Sequence, residues 1–288
     1  MMLPMKASVI LTVRNGSREL PEQLESLAAQ HYTGSWELLV VDHGSTDHTV
    51  EVAMAFASRL PIRIIDAAAE PGAAAARNLG ATAATGELLL FCDHDDVLDQ
   101  HWIEEMVAAL ERYPAVGGAL ELDQLNGAVY PLLHRGTWSE LPRVEGYLAA
   151  SPTANFAAWA SAFWAVGGFD TAYAVSYDVD ISIRLQQAGF ELGFAPAAVV
   201  HYRDRRSLAA LTKQRYRYGL ERPLLYRRLR DNGFPRTPVG PGVLGLLRLP
   251  FLAVRAAPSC PGRRWFLRTA AQRVGRLAGS IRYRALYL

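Results

Sequence analysis

The chain has very few cysteines and no long apolar run. Its 288 residues include 2 cysteines, Cys92 and Cys260, which lie far apart in dissimilar surroundings. This usage indicates neither a disulfide scaffold nor a zinc site, and it favours a reducing compartment. No segment reaches the ~18 to 20 apolar residues that a membrane-spanning helix needs. Residues 1–6 lack the successive basic, apolar and small-residue regions of a signal peptide, so we expect a cytoplasmic protein.

Acidic residues are scarce in the last part of the chain. Residues 201–288 contain 20 basic and 3 acidic residues, a net charge of +17, whereas residues 1–200 contain 10 basic and 25 acidic residues, a net charge of −15. The overall charge of +2 conceals this division. The acidic part suits metal-dependent chemistry, and the basic part suits an anionic surface or a polyanion.

Apolar segments typical of buried strands alternate with segments of helical periodicity. We predict strands at 7–13, 36–41, 62–65, 88–92 and 197–200, and helices at 20–30, 49–60, 73–84, 102–112 and 178–187. This alternation predicts an α/β fold with a Rossmann-like, mostly parallel sheet covered by helices on both faces. In the segment 114–150, glycine pairs, Asn126-Gly127 and several prolines predict short strands and a hairpin.

Polar residues follow three of these strands. They are Arg14-Asn15-Gly16, Asp-His-Gly-Ser-Thr-Asp at 42–47 and Asp-His-Asp-Asp at 93–96. Because ligands bind beyond the carboxyl ends of strands in such sheets, we expect these groups to meet at one edge. The carboxylates of Asp93, Asp95 and Asp96 repel one another, and a divalent metal carrying a phosphorylated ligand would hold them together. A solvated acidic turn is the alternative interpretation of this triplet when it is taken alone.

Six short motifs occur in order along the first 205 residues. They are Val-Val-Asp-x-Gly-Ser-Thr-Asp (40–47), Ala-Arg-Asn-x-Gly (76–80), Asp-His-Asp-Asp (93–96), Gly-Gly-Phe-Asp (167–170), Asp-Val-Asp-Ile (178–181) and Val-Val-His (199–201). Together they resemble family 2 nucleotide-sugar glycosyltransferases of the GT-A fold. The resemblance implies a GT-A catalytic domain at 1–205, with nucleotide-sugar binding at about 1–100 and the acceptor side at about 101–205. Residues 206–288 would then be a basic helical C-terminal extension.

The resemblance implies an inverting transfer of a sugar from a nucleoside-diphosphate sugar to an acceptor hydroxyl. In this family Mg²⁺ or Mn²⁺ neutralises the diphosphate as the bond breaks. By similarity, Asp95 binds the metal directly, Asp93 bridges it to the ribose or the sugar, and Asp96 assists. His201 resembles the histidine that closes over the diphosphate, often as a metal ligand. The alternative for His201 is a surface histidine after a strand.

The resemblance also implies a general base and a set of nucleotide contacts. Asp178 matches the aspartate that takes the proton from the acceptor hydroxyl, and a helix-capping role is compatible with this. The family usually has an acidic residue before this aspartate, whereas this chain has Tyr177, which removes a like charge. The residues implied in nucleotide binding are Val13, Arg14, Asn15, Asp42, His43, Arg77 and Asp93.

Two of these nucleotide contacts depart from the family or have an alternative. His43 stands where the family commonly has an acidic residue or asparagine, so a preference for uracil does not carry over to this chain. Arg77 would approach the base or the diphosphate, and its alternative is a surface arginine paired with Glu70. Asn78 and Gly80 are expected to pack against the sheet.

The basic C-terminal segment predicts helices. From Arg263 onward, apolar residues from Phe266 to Leu288 repeat at spacings of four and three, which predicts an amphipathic basic helix, and the segment 243–254 is apolar but short. Such a helix can dock on the catalytic domain or lie in the interface of an anionic membrane, at its inner face and near a lipid-linked acceptor. Nucleic-acid binding is disfavoured because the acidic part would oppose it and no recognition module is present.

Two further functions remain open. A sugar-1-phosphate nucleotidyltransferase is also α/β and metal-dependent, but it would normally show a Gly-rich N-terminal loop with Arg and Lys, of which residues 14–17 are a poor version. A non-catalytic nucleotide-sugar-binding protein is the second alternative. The sequence identifies neither the sugar nor the nucleobase, and it leaves lipid-linked, polysaccharide and natural-product acceptors open.

Overall fold

A computed structural model describes residues 5–126, 136–205, 207–256 and 260–288. One eight-stranded sheet with helices on both faces forms the larger part of the molecule. The strands are β1 (Ala7–Val13), β2 (Trp36–Asp42), β3 (Ile62–Asp66), β4 (Leu88–Asp93), β5 (Val97–Leu98), β6 (Ala115–Glu121), β7 (Phe156–Trp159) and β8 (Leu192–His201). The helices are α1 (Leu20–Ala28), α2 (Thr49–Met54), α3 (Ala73–Ala83), α4 (Trp102–Leu110), α5 (Ala160–Ala165), α6 (Tyr177–Gln187), α7 (Leu208–Leu229), α8 (Val239–Leu247), α9 (Leu249–Ala256) and α10 (Cys260–Arg282).

The strand order is β3-β2-β1-β4-β7-β6-β8-β5. The first four neighbours, β3, β2, β1 and β4, are parallel, as the alternation of strands and helices predicts. β7 is antiparallel to both β4 and β6, β8 is parallel to β6, and β5 is antiparallel to β8. The α/β fold is therefore confirmed, and its second half is a mixed sheet.

The continuous apolar strands are buried on both faces of the sheet. Along β1, Ile10 faces the core that includes residues of α3 and α6, whereas its neighbours Val9 and Leu11 face the core that includes residues of α1 and α4. β2 and β4 alternate in the same way, since successive side chains of a strand point to opposite faces. This double burial explains why these strands read as unbroken apolar runs.

Three predicted elements differ from the structure. α2 ends at Met54 and the chain continues in tight turns toward Pro61, whereas we expected a helix to residue 60. β8 begins at Leu192 and contains Pro196, which is accommodated at a register shift opposite Gly118 and Ala119. Proline argues against a strand, so the sequence indicated only its last part. The segment 114–150 contains β6, and the expected hairpin at Asn126-Gly127 lies partly outside the described residues.

The carboxyl ends of the parallel strands meet at one edge, as predicted. Val13 at the end of β1 pairs with Asp42 at the end of β2, and Thr12 pairs with Asp93 at the end of β4. α3 packs closely on these strands because a Cβ atom at Gly80 would lie 2.8 Å from side-chain carbons of β1 and β2. The packing role expected for Gly80 is therefore confirmed.

Asn78, the other residue of this motif, has a different role from the one expected. Its side chain donates to the Phe169 carbonyl at 2.8 Å and accepts from the Phe169 N–H at 2.9 Å. It therefore binds the turn of the Gly-Gly-Phe-Asp motif instead of the sheet.

The C-terminal helices continue the core of the sheet. Leu224 and Leu225 of α7, together with Tyr287, join the apolar cluster that contains α6. α10 crosses α7 at short distance, since a Cβ atom at Gly275 would lie 2.3 Å from the Tyr216 carbonyl oxygen. The helix at 263 onward is confirmed, but part of its apolar stripe, Val274 and Ile281, is exposed.

Among the described residues, no single helix has both the length and the apolar character needed to cross a bilayer. Only α8 and α9 taken together, bent by 47° at their junction, meet the requirement.

Candidate active site

Three carboxylates follow β4 at the carboxyl edge of the sheet. Asp93 is the last residue of β4, and Asp95 and Asp96 lie in the turn that leads to β5. One oxygen from each of the three residues lies within 4.8 Å of the other two. Burial, and then the negative charges of Asp95 and Asp93, raises the pKa of Asp96 well above its usual range. A cation at this cluster would relieve the repulsion.

The hydrogen bonds of this carboxylate cluster leave one oxygen without a partner. Asp96 Oδ1 accepts from the Arg203 N–H at 2.8 Å, whereas Asp96 Oδ2 is buried and has no hydrogen-bond partner among the described residues. Asp93 pairs with Arg77, and Asp95 Oδ2 lies 3.2 Å from Arg205 Nη1. Because carboxylate oxygens are the ligands that Mg²⁺ and Mn²⁺ prefer, the three residues fit a hard divalent cation.

A pocket of about 210 Å³ lies beside the carboxylates, and we call it the donor pocket because residues predicted to bind the nucleotide sugar line it. It is lined by Thr12, Val13, Arg14, His43, Ala73, Ala76, Arg77, Asp93, His94, Asp95, Tyr177 and Arg205. The structure therefore brings five of the seven predicted nucleotide-binding residues together with the predicted metal ligand Asp95.

Arg77 joins two walls of the donor pocket. It is 5% exposed, pairs with Asp93 through Nη2, and donates through Nη1 to the Tyr177 hydroxyl at 3.0 Å. Its guanidinium carbon also lies 5.3 Å from the centre of the Tyr177 ring. Arg77 is therefore not the surface arginine of the alternative interpretation. Tyr177, which departs from the family pattern, therefore contacts the buried guanidinium of Arg77 through both its hydroxyl and its ring.

Two predicted nucleotide-binding residues shape the neighbouring loop and are not among the described residues that line the pocket. Asn15 accepts from the Thr46 N–H at 2.8 Å, and its own N–H donates to Ser45 Oγ at 2.9 Å. The Asp42 carboxylate accepts from the Ser45 N–H at 3.2 Å, across a turn in which Gly44 has a φ of 71°. These bonds fix the loop at 42–47 against the end of β1.

The structure does not bring His201 to the carboxylates. His201 ends β8, and its Nδ1 lies 2.9 Å from Glu121 Oε2. Within the described part of the chain, the cluster with atoms inside 4.8 Å contains the three aspartates alone. Arg203 and Arg205 contact it instead, so a metal-binding role of His201 stays a prediction without support from this geometry.

A second pocket of about 450 Å³ adjoins the first, and we call it the acceptor pocket because the predicted general base, Asp178, lines it. It is lined by Asp93, Pro152, Thr153, Ala154, Ala174, Val175, Tyr177, Asp178, Tyr202, Arg205, Ala210, Lys213, Gln214, Arg217 and Tyr218. Asp93, Tyr177 and Arg205 line both pockets, so they form the boundary between them.

Asp178 is the second residue of α6 and faces the acceptor pocket. Ser176 occupies the position that precedes the helix, and Asp178 Oδ1 accepts from the Val179 N–H at 2.7 Å. Burial raises the pKa of Asp178 to about 7, against the opposing effects of the Val179 N–H and the positive charges of Arg77 and Arg222. A carboxylate with this pKa suits general-base chemistry near neutral pH.

Five lining residues were missed by the sequence interpretation. Tyr202 and Arg205 follow His201 at the end of the predicted catalytic domain, and Lys213, Arg217 and Tyr218 belong to the predicted C-terminal extension. Their signal was present in the sequence as basic and aromatic residues directly after His201. Nothing in their spacing shows that α7 returns across the edge of the sheet.

Comparisons of sequence place the chain among known transferases. The family described as Glycosyl transferase family 2 matches residues 8–165, and Glycosyl transferase family group 2 matches residues 88–256. Glycosyltransferase AglE of Haloferax volcanii is 30% identical over 219 residues, which cover 74% of this chain and 71% of AglE. The chain spans less than half the length of several other curated relatives that it matches.

Two solved structures share the fold of this chain. The mannosyltransferase PcManGT from Pyrobaculum calidifontis, solved in complex with GDP-Man and Mn²⁺, has a TM-score of 0.62 at 18% identity, with 96% of this chain and 86% of that chain covered. Residues 1–349 of TarS from Staphylococcus aureus, solved in complex with UDP, give 0.57 at 16% identity, with 97% and 92% covered. The chain has the GT-A fold and belongs to glycosyltransferase family 2.

Proposed function

We propose that this protein is a metal-dependent, inverting glycosyltransferase that moves a sugar from a nucleoside-diphosphate sugar to an acceptor hydroxyl. The observation that carries this proposal is the boundary of Asp93, Tyr177 and Arg205 between two pockets. The aspartate cluster lies at the donor pocket, and Asp178 lies at the acceptor pocket. A donor with its diphosphate at the cluster would direct its sugar toward Asp178.

In the proposed reaction, Asp178 takes the proton of the acceptor hydroxyl as the acceptor oxygen bonds to the anomeric carbon. The bond from that carbon to the phosphate oxygen breaks, and its electron pair leaves with the nucleoside diphosphate. Because the new bond forms opposite the leaving group, the configuration at the anomeric carbon inverts. Arg205, which lines both pockets, holds positive charge where the leaving group departs.

Asp95, Asp93 and Asp96 would hold Mg²⁺ or Mn²⁺, which neutralises charge on the departing diphosphate when it is bound. The unpartnered Asp96 Oδ2 supports this assignment. The complex of PcManGT with GDP-Man and Mn²⁺ is consistent with it.

The test is release of nucleoside diphosphate and transfer of sugar from a panel of UDP, dTDP and GDP sugars. We expect EDTA to abolish activity and added Mn²⁺ or Mg²⁺ to restore it. Activity that survives chelation would contradict the metal role. Calorimetric binding of a nucleotide sugar without turnover on any acceptor would favour the non-catalytic alternative.

His43 supports a proposal about the nucleobase. Its Nε2 lies 3.0 Å from the Glu70 carbonyl oxygen, which can only accept, so Nε2 carries a proton. In the neutral form of the ring, Nδ1 is then an acceptor on a residue that lines the donor pocket. We propose that it accepts from the ring N–H of uracil, thymine or guanine. UDP, dTDP or GDP should therefore bind more tightly than CDP and ADP, and the reverse order would overturn this role.

Exposed apolar side chains on α8 and α9 support a proposal of contact with an anionic membrane. Leu247, Phe251 and Val254 are 72%, 66% and 75% exposed, and Arg248 and Arg255 lie among them. Apolar side chains with flanking arginines suit the interface of an anionic bilayer. The protein should co-sediment with anionic vesicles, and Phe251→Ser should weaken this. Equal recovery with neutral and anionic vesicles would contradict the electrostatic part.

A further inference from the structure

A buried carboxylate of α7 binds the chain directly before the base. Glu221 is 5% exposed. Its Oε1 accepts from the Ala174 N–H at 2.7 Å, and its Oε2 accepts from the Val175 and Ser176 N–H groups at 3.1 and 2.8 Å. Three consecutive backbone N–H groups thus point at one carboxylate. Ser176 is followed by α6, in which Asp178 is the second residue.

Each of these hydrogen bonds is assisted by the charge of Glu221. Such bonds are shorter and stronger than those between neutral groups. The negative charge also lies at the N-terminal end of α6, where the helix dipole favours it. We therefore expect the Glu221 carboxylate to restrict the segment 174–176 to one conformation.

A second contact ties the same segment to α7. Arg228, two turns after Glu221, pairs with Asp170 of the Gly-Gly-Phe-Asp motif, and its guanidinium lies 5.3 Å from the centre of the Tyr173 ring. The chain from 170 to 176 is therefore held by α7 at both ends. This contact does not depend on the hydrogen bonds of Glu221.

α7 is itself fixed by close packing against α10. A Cβ atom at Gly219 would lie 2.1 Å from the Gln272 carbonyl oxygen, and one at Gly279 would lie 2.1 Å from the Leu220 carbonyl oxygen. Gly219 lies two residues before Glu221 on α7, and Gly279 of α10 packs against Leu220, the residue before Glu221. The backbone that carries this carboxylate therefore has little freedom to move.

We propose that Glu221 is a positioning residue for the base: through residues 174–176 it sets where the Asp178 carboxylate stands relative to the acceptor pocket. Glu221 is not among the described residues that line either pocket, whereas Ala174, Val175 and Asp178 line the acceptor pocket. It therefore acts through its neighbours and not on the reacting atoms. The inference rests on the proposed function, and it places a residue of the C-terminal extension in the catalytic apparatus.

Hydrogen exchange tests the contact without any turnover. In Glu221→Gln the side chain keeps one acceptor oxygen and places an N–H₂ group against backbone N–H groups. The amides of residues 174–176 should exchange about tenfold to a hundredfold faster than in the wild type. Arg230→Gln, an exposed residue just after α7, is the control and should leave them unchanged. Unchanged exchange in Glu221→Gln would overturn the proposal.

Kinetics test the positioning role. The kcat of transfer should fall about tenfold to a hundredfold in Glu221→Gln, since a small displacement of a catalytic group is enough for such a loss. The Kd of the nucleoside diphosphate should stay unchanged, and Glu221→Asp should recover part of the rate because it keeps the charge. Equal losses in kcat and nucleotide affinity in both variants would indicate general structural damage and overturn the role.

The two experiments separate this proposal from the proposed function. If Glu221→Gln does not fold, Glu221→Asp and Arg228→Gln provide the same measurements, since each weakens one tie to the segment 170–176. If the wild type transfers no sugar from any donor while the amides of Glu221→Gln exchange faster, the proposed function fails and the hold of Glu221 on residues 174–176 stands.

Discussion

The donor pocket is built on the ends of β1, β2 and β4, which are neighbours in the sheet, whereas the acceptor pocket takes its residues from the segment 152–154, from α6 with the chain before it, and from α7. Strand pairing brings together the donor residues at these strand ends, and residues of α3 with Tyr177 and Arg205 complete the pocket. The acceptor residues meet only when the C-terminal helices pack against the sheet. The two sides of one site therefore depend on different levels of structure.

Four ion pairs join the basic C-terminal part of the chain to its acidic part. Arg203 pairs with Glu22, Arg205 with Asp95, Arg228 with Asp170 and Arg276 with Glu145. Each pair joins a basic residue after position 201 to an acidic residue before position 200. Part of the opposite charge of the two regions is therefore neutralised within the molecule.

The largest effect is expected on the acceptor side, from Asp178→Asn. The kcat of transfer should fall about 10² to 10⁴-fold because the amide cannot take the proton. The Kd for the nucleoside diphosphate, measured by calorimetry, should not change, since Asp178 is not among the residues that line the donor pocket. Asp231→Asn, at an exposed residue after α7, is the control. Loss of nucleotide binding in Asp178→Asn would show that the two sides are not separable.

The next effect is expected on the donor side, from Asp95→Ala. Loss of a metal ligand removes several kcal/mol of charge stabilisation, so kcat should fall about 10² to 10³-fold and the response to added Mn²⁺ should weaken. The exposed acid Glu51, replaced by Gln, is the matched control. Full activity of Asp95→Ala at low Mn²⁺ concentration would show that Asp95 on the donor side does not act through a metal.

The pH dependence of kcat should report the ionisation of Asp178 on the acceptor side. Because burial raises the pKa of Asp178 to about 7 and the base acts when ionised, kcat should rise about tenfold per pH unit below that value and level off above it. The measurement is kcat at saturating donor from about pH 5 to about pH 9. A flat profile across that range would mean that the base is another group.

The smallest effect is expected at the boundary between the pockets, from Tyr177→Phe. The variant loses the hydrogen bond from Arg77 and keeps the ring under the guanidinium. The free energy of unfolding, measured by denaturant titration, should fall by about 1.5 to 3 kcal/mol, as for a bond to a charged group. The affinity for the nucleotide sugar and kcat should both change by a few fold. A change in affinity alone would assign Tyr177 to the donor side, and a change in kcat alone would assign it to the acceptor side.

The sequence predicted which residues meet at the ends of β1, β2 and β4 because apolar runs mark where buried strands end. Val13, Arg14 and His43 line one pocket with Asp93 and Asp95, as the parallel order of the strands requires, and Arg77 joins them from α3. Asn15 and Asp42 lie at the same edge but bond to the loop at 42–47. Which way a side chain turns at such an edge depends on local hydrogen bonds that a motif does not specify.

The acceptor side was predicted less completely. Asp178 was identified through the family motif. Lys213, Arg217 and Tyr218 were assigned to a separate extension because no periodicity shows where a helix docks. The boundary at 205 and 206 stays a prediction, although the core continues across it through Leu224 and Leu225.

The pairing of two aspartates with arginines has a consequence for the order in which ligands arrive. Arg77 and Arg205 already compensate Asp93 and Asp95, and burial disfavours a charge on Asp96 by raising its pKa, so the carboxylate cluster retains at most one uncompensated negative charge. A free divalent ion gains little at such a site, whereas an ion that arrives with a diphosphate brings its own anionic partner. We therefore expect the metal and the nucleotide sugar to enter as one complex and the ion to leave with the nucleoside diphosphate.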